Sequence, residues 1–314
     1  MSGVFNAFTA FFNHLQAIAW TPVLFALLCQ FAKICARSRA WRNVLAAAYP
    51  EARVRWRSVF GASVAGAGVN AIVPVRGGDA LRLFIMKRRI EGATYATLAS
   101  SLLVEAVFDV FLTGLLLLWA LHAHVLPGVH VLHRLPSVDW FWLFRHPRAA
   151  AATLAATLVV AFVLGVWAAR KIEAFRARVA QGFAILRTPV RYLRSVAAWQ
   201  LADWALRLAV IYFFLRAFHV NASLDNALRV QVTQSLSTIV PLTPAGIGTD
   251  QALIVYVLSG EASRSALLSL SVGMKAITSA LNVVLGGLSI AVMLRTFHWR
   301  RVVEGDRLTP SDSK

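Results

Sequence analysis

Long apolar runs alternate with short basic blocks along this chain. The runs are Ala17–Cys35, Val59–Val75, Gly92–Leu121, Arg148–Ala169, Val196–Phe218, Ala222–Gly260 and Ala266–Leu294. Several exceed the roughly 18–20 residues that cross a hydrocarbon core as a helix. Two segments interrupt the pattern: Asn70–Arg82 reads NAIVPVRGGDALR and Ser237–Gln251 reads STIVPLTPAGIGTDQ. Proline removes a backbone donor and glycine loosens the helix, so neither segment crosses a bilayer as one regular helix. The pattern predicts an all-α polytopic integral membrane protein with about 7–9 hydrophobic segments, two of them Pro/Gly-broken re-entrant hairpins.

The basic blocks orient these segments, because Lys and Arg collect on the cytoplasmic side. Ala36–Ser58 holds Arg37, Arg39, Arg42, Arg53, Arg55 and Arg57 against Glu51. It is expected as a cytoplasmic loop, with Trp41–Tyr49 lying as an amphipathic helix on the membrane surface and the N-terminus outside. Val59–Val75 is basic at both ends, which a hairpin entering from the cytoplasm satisfies. Gly92–Leu121 then runs outward, His122–Pro147 is an outer loop, and Arg148–Ala169 returns. Arg170–Arg194 carries seven cations against Glu173 and is expected inside. Val196–Phe218 runs outward, Ala222–Gly260 forms a hairpin from the outer face, and Ala266–Leu294 ends inside. Span, hairpin, span thus occurs twice in opposite orientation, the pattern of an inverted repeat. The expected organisation is one transmembrane domain over 1–300, with halves at 1–121 and 196–294, a connecting helix at 148–169, and a cytoplasmic tail at 301–314.

Composition agrees. Hydrophobic residues make up 58%, charged residues 15%, and the mean hydropathy is +0.64. The net charge of +18 suggests nucleic acid. Its division into blocks between apolar runs instead fits the charge rule and contact with anionic lipid headgroups. Met1–Phe12 lacks the basic start of a signal peptide, so the first run is expected to be a retained helix. Cys29 and Cys35 imply no disulfide framework.

The two broken segments resemble signatures of the lysylphosphatidylglycerol synthase transmembrane family, also called flippase-like. PVRGGDALR, followed by Glu105 and Asp109, is similar to its first signature; PLTPAGIGTDQA is similar to the second. Ala245 replaces one Gly, and Gln251 stands where the family usually has Glu, with Asp250 one place earlier. The resemblance covers nearly the whole chain. It implies a bacterial-type cytoplasmic membrane protein that moves a lipid or lipid-linked headgroup between leaflets. The soluble aminoacyl transferase domain of bifunctional members is not expected here, and neither is lipid aminoacylation. A homodimer is an expectation carried by the resemblance alone.

Several polar residues could carry the chemistry. Arg76, Asp79 and Arg82 are spaced so that Asp79 can pair with either Arg on a helix. With Gly77 and Gly78 allowing close approach, they form a candidate phosphate-headgroup site; solvation at the interface is the plainer alternative. Glu105 and Asp109 share one face of an apolar run and must meet protein or water. They either pair with Arg76 or Arg82, or one of them carries a proton. Asp203 and Arg207 read as a self-contained ion pair. Lys275 needs a partner, either Asp250 or a phosphate, and Asn282 on the same helix can hydrogen-bond across helices. In the second broken segment Pro241, Pro244, Gly246 and Gly248 make the turn. Thr243, Thr249, Asp250 and Gln251 line it, beside a half-helix N-terminus suited to an anion. His122, His124, His130 and His133 read as interfacial. No cofactor, metal site or dedicated catalytic set is expected. The leading expectation is therefore a translocase for a phosphate-bearing lipid, such as a phospholipid or a polyprenyl-phosphate carrier, and not an enzyme. An intramembrane enzyme using Glu105 or Asp109, or a non-catalytic partner of envelope synthesis, are the alternatives.

Overall fold

The computed structural model of the protein describes residues 18–73, 77–123, 173–239 and 248–296. Those residues form nine α-helices and no β-strand. They are α1 (Trp20–Ala48), α2 (Trp56–Ile72), α3 (Gly77–Arg89), α4 (Tyr95–His122), α5 (Glu173–Gly182), α6 (Pro189–Ala217), α7 (Leu224–Ile239), α8 (Thr249–Val257) and α9 (Arg264–Thr296). Among them, Tyr95–Ala120, Pro189–Ala217 and Arg264–Met293 are long and apolar enough to cross a membrane. The expected connecting helix 148–169, most of the outer loop and the tail 301–314 lie outside the described residues.

The first helix corrects the sequence reading. It does not end near Cys35 in a loop. It continues through the arginines to Ala48, as one helix of 29 residues. At 1.5 Å per residue it is about 44 Å long. The reason is its buried face: Trp41, Val44, Leu45 and Ala48 recur at helical spacing and are all enclosed by protein, not laid on a surface. Each half of α1 serves a different core. Val23 and Ala26 pack with Phe214, Leu215, Leu258 and Leu270 from α6 to α9. Trp41 and Leu45 pack with Val59, Ala62, Met86 and Leu98 from α2 to α4. The polar residues Gln30, Lys33 and Arg37 fall between these cores.

α1 and α6 run antiparallel along their length. Ala19 N–H donates to Ala217 O at 3.0 Å at one end, and Asn43 Nδ2 donates to Ser195 O at 2.6 Å at the other. Phe25 stacks on Phe213 between them. Ser195 lies in a π turn, Leu193–Ala197, and Asn43 satisfies a carbonyl there. Since α1 and α6 open the two halves, their opposed directions are what an inverted repeat requires. In each half, the long helix is followed by two shorter helices packed together, then by another long helix.

Glycines set the closest helix approaches. α2 is packed on two sides, against α9 and against α3. A Cβ at Gly68 would lie 2.7 Å from Gly286 Cα and 2.8 Å from Asn282 O on α9. A Cβ at Gly66 would lie 2.7 Å from Gly78 O on α3. Small residues at such crossings let backbones meet where no hydrophobic force separates helix from lipid.

Candidate functional site

Charged side chains from four helices converge beside the junction of the two cores. Glu105 and Asp109 stand near the middle of the span Tyr95–Ala120, and Asp203 at the middle of Pro189–Ala217. A charge there costs about 2.5–3.5 kcal/mol on a lone helix. The fold offsets this by pairing. Arg37 of α1 is the hub: its guanidinium lies 3.5 Å from Glu105, 3.0 Å from Asp109 and 3.9 Å from Asp203. Arg207 holds Asp203 at 2.8 Å and also reaches Asp109 at 3.6 Å. Trp204 Nε1 donates to Asp109 Oδ1 at 3.0 Å. Lys33, one turn before Arg37, lies in the field of Asp203, Arg37 and Arg207.

Arg82 completes the cluster from α3. Its side chain is only 8% exposed and lies 4.3 Å above the ring of Trp41. Trp41 is itself fixed by donating Nε1–H to Ser101 Oγ at 3.0 Å. Arg82 Nη1 meets Asp79 Oδ1 at 3.4 Å, and Nη2 stands 3.7 Å from Glu105 Oε2. Both are loose for charge-assisted hydrogen bonds, which close to about 2.7–2.9 Å. Arg82 Nε and Nη2, Glu105 Oε1, Gln200 Oε1 and Asp203 Oδ1 are buried without a hydrogen-bond partner among the described residues. Counted together, Lys33, Arg37, Arg82 and Arg207 face Asp79, Glu105, Asp109 and Asp203, four cations against four carboxylates.

Gly77, Gly78 and Asp79 form the first turn of α3, where Gly78 N–H donates to Asn70 Oδ1 at 2.7 Å. Arg82 reaches Glu105, whereas Asp109 belongs to Arg37 and Arg207. Asp203 and Arg207 do pair at helical spacing, but the pair is shared with α1 and α4 rather than self-contained. A second site brings α8 and α9 together: Lys275 Nζ lies 3.1 Å from Asp250 Oδ2. Gln251 Oε1 accepts from Gly248 N–H at 2.6 Å, a role open equally to a Glu carboxylate oxygen. Gly248 has φ +92°, a conformation glycine adopts freely. Asn282 accepts from Gln30 Nε2 at 3.2 Å and ties α9 to α1. Arg76, Thr243, Pro244 and Gly246 lie outside the described residues.

A family model, the lysylphosphatidylglycerol synthase TM region, matches residues 3–286. The chain belongs to this family. The match takes in both broken segments, the charge cluster and the Asp250–Lys275 pair, and supports an integral membrane protein of a lipid-related family. No curated protein and no solved structure matches the chain.

The sequence reading missed Arg37, Lys33, Gln200 and the two tryptophans that brace the cluster. Its signal was available. Lys33, Arg37, Trp41, Val44, Leu45 and Ala48 share one helical periodicity, which marks the arginine as part of a buried face.

Proposed function

We propose that this protein moves a phosphate-bearing lipid, or a lipid-linked headgroup, between leaflets and performs no covalent chemistry on it. α2–α3 and α7–α8 act as opposed re-entrant hairpins around a polar chamber. The lengths of α3 and α8, about 20 Å and 14 Å, support this, being well short of a hydrocarbon core. The orientation has the N-terminus outside and the C-terminus in the cytoplasm, in a bacterial-type inner membrane. The observation that carries the proposal is Arg82: a buried guanidinium whose Nε and Nη2 make no hydrogen bond among the described residues, close to mid-span carboxylates. Nε and Nη2 form the side-on edge that grips a phosphate bidentately.

The test is flip of a fluorescent phospholipid in proteoliposomes. Wild type should move it faster than empty vesicles. Arg82→Lys keeps the charge against Glu105 but loses the fork. A charge-assisted hydrogen bond is worth about 1.5–3 kcal/mol, so the rate should fall about ten- to hundredfold. Equal rates for empty vesicles and wild type with several phosphate lipids would end the proposal.

A further inference from the structure

We propose that Glu105 is a built-in stand-in for the substrate phosphate, an internal competitor that occupies the arginine site until a headgroup displaces it. This rests on the transport reading above and adds how the same site is kept from holding its cargo too tightly.

Glu105 is 2% exposed and lies between two guanidinium groups, with Oε2 at 3.5 Å from Arg37 Nε and 3.7 Å from Arg82 Nη2. It therefore sits where an anion bridging these arginines would sit. Yet it holds both arginines loosely: both separations exceed hydrogen-bond length, its Oε1 has no hydrogen-bond partner among the described residues, and Arg82 Nε and Nη2 have none either. An ion pair evolved only to lock α3 to α4 would close these gaps, because an unfilled buried donor costs about 1–3 kcal/mol. Glu105 is held by charge more than by geometry, which makes it displaceable by a group with better geometry.

Charge balance points the same way. With Glu105 ionised the cluster holds four cations and four carboxylates, so an incoming phosphodiester finds no net attraction. Its gain must come from replacing Glu105 at the Arg82 edge. Replacing Glu105 by Gln leaves one surplus positive charge, which a phosphate monoanion neutralises.

Binding of two probes to the detergent-solubilised full chain tests this: inorganic phosphate and a short-chain phosphatidylglycerol. Glu105→Gln should tighten binding about tenfold, equivalent to about 1.4 kcal/mol. Glu105→Asp, which keeps the charge, should not tighten it, and Arg82→Gln added to Glu105→Gln should abolish the gain. Tightening in either arm supports the stand-in, and the arm that shows it separates a lipid headgroup from free phosphate. Should the Gln variant not fold, wild type labelled with carbon-13 glutamate reports directly. Saturating probe should shift a carboxylate infrared band, and an unchanged band overturns the idea. If wild type binds and flips lipid but Glu105→Gln binds equally or more weakly, the stand-in is wrong and the transport reading survives. If wild type neither binds nor moves either probe, both fail.

Discussion

Arg37→Met removes the hub of the charge cluster and keeps most of its apolar stem. Three carboxylates lose a cation at once: Glu105 at 3.5 Å, Asp109 at 3.0 Å and Asp203 at 3.9 Å. Two of these acids are nearly sealed from solvent, at 2% and 3% exposure. Removing one partner of a buried ion pair costs about 3–5 kcal/mol. Arg37 is one-third exposed, so water recovers part of that, and the expected loss is about 2–4 kcal/mol. Equilibrium unfolding in mixed detergent and SDS micelles measures it. Glu105→Gln in the Arg37→Met background should restore about 1–3 kcal/mol, because the acid left stranded is then neutral. A loss below about 0.5 kcal/mol, the level of an exposed ion pair, would refute the buried hub. So would a double variant whose losses simply add.

Three further outcomes follow from the packing and from the second ion pair. Gly78→Ala drives a methyl into Gly66 O and should destabilise the protein by about 1–3 kcal/mol through α2–α3 separation, read by the same unfolding curve. Gly92→Ala meets no neighbouring atom, so its cost should be limited to that of its positive φ and stay smaller. Lys275→Met strands Asp250, which has 18% exposure and an Oδ1 without a hydrogen bond among the described residues, and should cost about 1–3 kcal/mol. Adding Asp250→Asn should recover most of it, and no recovery would mean the pair is not what holds α8 to α9.

What the sequence made legible follows from range. Periodicity and charge blocks act over one helix, so the apolar spans over 92–121, 196–218 and 266–294 are found nearly in register with α4, α6 and α9. Helix breakers act over a few residues, so the break between α2 and α3 is legible from Pro74, Gly77 and Gly78. The Asp203–Arg207 pair is legible for the same reason, being one turn apart. Arg37 failed the same test because the charge rule reads an arginine block as solvated, and a block does not reveal which arginine turns inward. That depends on Trp41 and Leu45 committing the rest of α1 to the first-half core, and on acids 68 to 166 residues away arriving opposite it.

The charge cluster and the antiparallel pairing of α1 with α6 share one register. The hydrogen bonds Ala19–Ala217 and Asn43–Ser195 at the two ends set the helices antiparallel, and in that register Arg37, one turn beyond the centre of α1, meets Asp203 at the centre of α6. A slip of one turn would carry Arg37 about 5.4 Å along α1. In one direction it would bring Lys33 to that place, exchanging a planar fork that reaches three carboxylates for a single ammonium. The carboxylates at mid-span thus fix the register of the helices that hold them. The same positions that give the protein its polar centre also penalise any packing of α1, α4 and α6 that leaves one of these buried acids unpaired.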